Sequence, residues 1–154
     1  YERFRLLSVR DYNYPGQSYC PDVSCMMKGL ERRQEASRRI GLISHQEYDI
    51  DLPFEKITHK DRLEVILDFI AGSEVLVTNT YHCACWGMLM GKKVILYKPF
   101  SSKFRWLRHK PVVWSGDLEA DVQASRAFPG FLAESRDITL KFFAHVRNIV
   151  EERS

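Results

Sequence analysis

Five consecutive residues, Thr78-Asn79-Thr80-Tyr81-His82, place hydroxyls, a carboxamide, a phenol and an imidazole between an apolar run, Val75-Leu76-Val77, and a helix-like run from Cys83 to Met90. Where a buried parallel strand gives way to a helix, the first helical turn offers unpaired N–H groups and the positive end of its dipole. Open α/β sheets build ligand sites at such turns. The chemistry on offer is capture of a phosphate or carboxylate, with His82 placed to donate to the anion or to move a proton near neutral pH. A cationic loop, Lys98-Pro99-Phe100-Ser101-Ser102-Lys103, follows the next apolar run, and Lys103 is placed to add a charge-assisted contact. Asn79, Thr80, Tyr81, Ser101 and Ser102 are the polar neighbours expected to line the ligand. Arg10-Asp11 ends an earlier strand-like run. Arg10 there suits bidentate recognition of an anion, against the alternative of a local pair with Asp11.

The elements that must position these residues are legible as short, continuous apolar runs at 40–44, 75–78 and 93–97, the pattern of strands covered on both faces. Runs at 4–9 and 111–114 and a weaker one at Glu55 to Thr58 are further strand candidates. Strand–helix–strand connections are right-handed in nearly all cases, so the three main runs should be parallel, with their C-terminal ends on one edge. That edge gathers His45, the turn at Asn79 to His82, and the loop from Lys98 to Lys103.

Between the runs lie helical signals. Thr58 and Asp61 resemble a capping box, followed by the stripe Leu63, Ile66, Leu67 and Ile70 and by Gly72 as a stop. A second helix is expected from Tyr81 to Met90, with Gly91 as its stop and Gly87 packed closely on the sheet. Tyr12 to Met27 has loop composition and leads to an expected helix over Lys28 to Arg38. Asp117 to Phe128 reads as a short helix, and Leu132 to Glu152 as a long terminal one packed along the domain through Ile138, Phe142, Val146 and Ile149. The fold class is α/β, a Rossmann-like open, mostly parallel sheet with helices on both faces and a long C-terminal helix.

Of the other histidines, His45 is a weaker site candidate, His59 reads as a surface residue of a first helical turn, His109 borders a basic patch with Lys98, Lys103, Arg105 and Arg108, and His145 has no evident partner. The chain holds 154 residues, enough for one domain with a substantial core, and it begins in a way that suggests a piece of a longer protein. With 23 basic and 20 acidic residues the net charge of +3 is too balanced to imply nucleic acid. No apolar run approaches the roughly 20 residues that span a bilayer, and no signal peptide is evident. The four cysteines, Cys20, Cys25, Cys83 and Cys85, lack C-x-x-C spacing and read as free, mostly buried thiols of a reducing cytoplasm, with a zinc site recruiting His82 as the alternative. Dinucleotide, P-loop, nucleophile-elbow and zincin motifs are all missing.

Several segments together resemble the polysaccharide pyruvyl transferase family, whose members are similar to two-domain GT-B glycosyltransferases and move a pyruvyl group from phosphoenolpyruvate to a sugar as a ketal. Ser8-Val9-Arg10-Asp11 is similar to the family's S-x-R-D strand end, and Pro21-Asp22-Val23 to its D-P-x element. Val75 to His82 resembles the segment ending in R-L-H-G, while Gly91-Lys92-Lys93-Val94-Ile95 and Ser102-Lys103 resemble G-x-P-v-i and the lysine after it. Thr80 and Cys83 stand where the family has arginine and glycine, so another cation, Lys103 or Arg10, must take the arginine's place.

The resemblance implies a strand and crossing segment from a preceding domain over 1–27 and a Rossmann-like domain over 28–154. It also implies His82 as donor contact or general acid, Lys103 as neutraliser of the phosphate, and no cofactor or metal. The partners it implies are phosphoenolpyruvate or another anionic donor, a saccharide acceptor held mostly by the N-terminal domain of the same parent chain, and a full-length enzyme able to sit peripherally on a membrane. Two other readings stay open, a nucleotide-sugar-dependent GT-B glycosyltransferase domain and a non-catalytic anion-binding α/β module.

Overall fold

The protein is described by a computed structural model covering residues 6–152. Its centre is a five-stranded sheet of β3 (Arg38–Ser44), β4 (Lys56–Thr58), β5 (Ser73–Thr78), β6 (Lys93–Leu96) and β7 (Val112–Val113), in the order β4-β3-β5-β6-β7. Every neighbouring pair is parallel. Two earlier strands, β1 (Ser8–Val9) and β2 (Ser18–Tyr19), pair with each other in a separate two-stranded sheet. Four helices, α1 (Leu63–Ala71), α2 (Tyr81–Leu89), α3 (Leu118–Ala124) and α4 (Phe131–Glu151), complete the α/β architecture expected from the sequence.

Strand alternation sends side chains to two separate cores. Ile43, Leu76, Val94 and Leu96 face α1, α2 and the start of α4, whereas Ile40, Leu42, Val75, Val77 and Ile95 face α3 and the segment around Ile50. Residues with near-zero exposure on both faces explain why the runs are continuous rather than alternating. Gly87 is required by the first core, since a Cβ there would lie 2.8 Å from Leu76 Cδ2 and 3.0 Å from Val94 Cγ2. The helix axis therefore sits close to β5 and β6. A Schellman-type cap ends α2, with Lys92 N–H donating to Gly87 O, Gly91 N–H to Met88 O, and Gly91 left-handed at φ +73°.

Several expectations need correction. Residues 28–37 contain no helix. Leu30 is the one fully buried side chain of that stretch, so there is no apolar stripe to pack, and the polar groups instead cover the end of α1. Gln34 Nε2 donates to Asp68 O, and the Ser37 and Arg38 N–H groups donate to Gly72 O. Thr58 and Asp61 close a turn before α1, Thr58 N–H donating to Asp61 Oδ2 at 2.8 Å, rather than capping the helix, whose N-cap is Arg62. Within the expected strand 4–9, Phe4 and Arg5 lie outside the described residues and pairing is confined to Ser8–Val9. The short helix stops at Ala124 rather than continuing toward Phe128. The long helix α4 buries Phe131, Ser135 and Thr139, but from Leu140 onward none of its residues is buried, so only its first half packs on the domain.

All four cysteines are free. Among the described residues no cluster of three or more histidine, cysteine or acidic side chains is arranged to hold a metal ion, and no helix is long and apolar enough to cross a membrane.

Candidate functional site

The C-terminal ends of β3, β4, β5 and β6 open onto a cleft of about 320 Å³. Its lining includes His45, His59, His82 and Lys103 and no carboxylate. Lys103 is the one formally charged group of that lining. The Thr80–Tyr81 junction is its floor: Thr80 precedes the first turn of α2, and the first bond into the helix runs from Ala84 N–H to Thr80 O at 3.1 Å. The N–H groups of Tyr81, His82 and Cys83 have no acceptor among the described residues and stay available, as the start of a helix dictates.

Lys103 is brought to the same cleft by a 3-10 turn over Ser102–Trp106. Ser101 Oγ caps this turn by accepting from Lys103 N–H at 3.3 Å. Phe104, buried in the first core, pins the turn beneath, its ring 5.9 Å from that of Tyr81. The Lys103 side chain is exposed and has no ion-pair partner among the described residues.

The opposite wall is aromatic. His45 and His59 stack with centroids 4.5 Å apart and planes at 13°, and Phe100 lies 5.4 Å from His45 and 4.6 Å from Tyr48. Asn79 fixes this wall from below: its Oδ1 accepts from His45 N–H at 2.7 Å and its Nδ2 donates to Tyr48 O at 2.7 Å. Burial lowers the pKa of His59, and proximity to His45 and Lys60 adds to this, against the opposing effect of Ser44 O. His59 thus belongs to the cleft at the end of β4 rather than to a first helical turn, a placement hidden in the sequence because α1 begins later than its capping signal suggests.

Of the residues singled out from the sequence, Asn79, Thr80, Tyr81, His82, Ser101 and Lys103 line the cleft together. Asn79 and Thr80 are almost fully buried, Asn79 spending both polar atoms on the protein and Thr80 Oγ1 lying 3.2 Å from Thr78 Oγ1, so they shape the edge. Ser102 lines a neighbouring groove beside Pro99 and Val113. Asp11 does not reach the cleft, and its carbonyl accepts from Tyr14 N–H. Arg10 sits one layer behind, pairing with Asp22 at 3.2 Å rather than with Asp11, and its guanidinium lies 5.0 Å from the Tyr81 ring centroid.

Asp22 therefore belongs to the surroundings of the site, although only its place in a short motif drew attention to it. Its Oδ2 lies 3.5 Å from His82 Nε2 and its Oδ1 accepts from Ser24 N–H at 3.0 Å. Burial pushes its carboxyl up, but Ser24, His82 and Arg10 more than reverse this, leaving it below the usual carboxylate range. The thiols nearby are inert by comparison, burial pushing Cys83 up to about 11 and Cys85 up to about 12.

The remaining basic patch disperses. Arg108 pairs with Glu134 and faces Tyr12 and Tyr19, Lys110 Nζ donates to Arg105 O, and His109 stacks on Phe128 at 4.5 Å. No protein-family model, no curated protein and no solved structure matches this chain.

Proposed function

We propose that this domain is the donor-binding half of a polysaccharide pyruvyl transferase-like enzyme that acts in the cytoplasm on precursors of a cell-surface glycan, with phosphoenolpyruvate as donor. One observation carries the reading. Three N–H groups at the start of α2 and the Lys103 ammonium, all without a partner among the described residues, share with the His82 imidazole a cleft whose lining residues include no carboxylate. Phosphoenolpyruvate presents a phosphate and a carboxylate on one small carbon frame. The helix start and Lys103 suit these two anionic groups. His82 suits the proton that must reach the enol methylene carbon before the neighbouring carbon becomes electrophilic. The acceptor sugar would be held mainly by the preceding domain of the parent chain.

The test is phosphate release when the full-length parent is incubated with phosphoenolpyruvate and candidate glycans. We expect release to depend on both substrates and to drop at least about a hundredfold in His82→Ala, the scale of a lost general acid. Absence of release, or release indifferent to that substitution, would sink the proposal.

A second reading keeps the cleft and changes the donor to a nucleotide sugar. Two observations favour it: Thr80 stands where the resembling family carries arginine, and the His45–Phe100–Tyr48 wall offers a flat face to a base. Stabilisation of this chain by UDP or GDP and not by phosphoenolpyruvate in a thermal-shift assay would select it. Stabilisation without any turnover by the parent would instead leave a binding module.

A further inference from the structure

We propose that Asp22 is the positioning residue for His82, holding the imidazole with its proton on Nε2 so that Nδ1 is the atom free to take or give a proton. The inference rests on the reading of His82 as the proton-handling group of the cleft, and it begins with the two oxygens of one carboxylate. Oδ1 is fixed by the Ser24 N–H at 3.0 Å; Oδ2 receives Arg10 Nη1 at 3.2 Å and faces His82 Nε2 at 3.5 Å. A carboxylate pinned at both oxygens keeps its direction while its neighbour changes charge, as a group that orients a histidine must.

The pinning also refers back to the helix that carries His82. Ser24, next to the carboxylate on the 3-10 turn Val23–Met26, accepts at Oγ from Trp86 Nε1 at 3.1 Å. Trp86 stands one helical turn beyond His82, and the two rings are 5.8 Å apart. On the other side, Arg10 spans from Asp22 to the face of Tyr81, the residue before His82. Asp22 is thus located relative to α2 by contacts on either side of the imidazole. A chance surface pair would have no need of this framing, and Asp22 is much the less exposed partner, 18% against 55% for the His82 side chain.

The charges around His82 fit the same role. Arg10 and Asp22 neutralise one another, the Tyr81 and Trp86 rings are uncharged, and Lys103, His45 and His59 line the same cleft. His82 therefore meets the Asp22 carboxylate on one side, and the Lys103 ammonium and open N–H groups elsewhere in the cleft.

The test needs no substrate in its first arm. In a long-range proton–nitrogen NMR spectrum of this chain at low temperature, His82 should show a ring proton bonded to Nε2 and displaced to low field, the signature of a carboxylate acceptor. Asp22→Asn should abolish the low-field displacement and Asp22→Glu should restore part of it. In the second arm, the full-length parent carrying Asp22→Asn should lose at least tenfold in kcat, with KM for phosphoenolpyruvate within twofold of wild type and an altered pH profile. A ring proton found on Nδ1, or one unmoved by Asp22→Asn, overturns the inference whatever the donor proves to be. If instead the Nε2 proton is found and lost as described while the parent releases no phosphate, the positioning role stands and the pyruvyl-transfer reading falls.

Discussion

The two edges of the central sheet are built from similar residue types and put to opposite use. At the N-terminal edge, polar side chains converge on the end of α1: Arg38 forms two hydrogen bonds with Glu55 and one with Phe69 O, Lys92 Nζ donates to Ala71 O, and Ser73 Oγ to Phe69 O. Arg38 also crowds Gly72, where a Cβ would lie 2.9 Å from the tip of that side chain at Nη1. Cations here answer the negative end of a helix dipole. At the C-terminal edge the helix start, Lys103 and His82 keep capacity that the protein does not use. Polar groups consumed internally mark the edge that holds the fold together, and polar groups left open mark the edge proposed to meet a ligand.

Substitutions should separate the edges, and the largest effect belongs to the consumed one. Gly41→Val forces a Cβ to within 2.3 Å of Ser73 Oγ and 2.7 Å of Phe69 Cε1. It should cost about 3 kcal/mol or prevent folding, read by urea denaturation. Asn79→Ala tests whether the open edge has its own structural layer. It strands His45 N–H and Tyr48 O and should cost about 2–3 kcal/mol while loosening the aromatic wall, seen as lost chemical-shift dispersion of the two rings. Lys103→Glu should leave the denaturation midpoint unchanged and weaken phosphate binding by about tenfold or more, measured by calorimetry. Arg38→Ala should give the reverse pattern, about 1 kcal/mol of stability lost and phosphate affinity retained. If Lys103→Glu unfolds the protein, or Arg38→Ala abolishes binding, the division between the edges is wrong.

The smallest effect is pH-dependent. His59 and His109 both have pKa values lowered by burial, so the unfolded chain binds their protons more readily than the folded one. Their contribution is fully present above the unfolded value near 6.5 and is lost as pH falls through the lower folded values. Stability should therefore decline as pH falls below about 6.5, through the interval where the unfolded chain takes up these protons and the folded one does not. His59→Gln should flatten part of that slope in denaturation series run across the interval.

Much of this organisation was legible before the fold was known. The three runs of β3, β5 and β6 announced themselves through continuous burial, and the turn before His82 followed from their being parallel. Lys103 followed too, because it lies one short loop beyond β6. What stayed hidden was partnership across long separations. Asp22 meets His82 from a segment with loop composition, where no periodicity signals direction. His59 stacks on His45 only because β4 pairs beside β3, a contact that three half-exposed residues cannot advertise. The missing helix at 28–37 has a related cause: its residues look helical by propensity, yet with only Leu30 to bury, Arg32 and Gln34 are drawn to α1 and Glu31 to Arg136 on α4.

The buried sulfurs give this division a clock. Cys25, Cys83 and Cys85 are enclosed, and Cys20 alone is partly accessible. An alkylating reagent at neutral pH should therefore modify Cys20 first and reach Cys83 only when α2 lifts from the strands beneath it. The rate of that second modification would report how often the floor of the cleft opens, and an anion resting on the first turn of the helix should slow it.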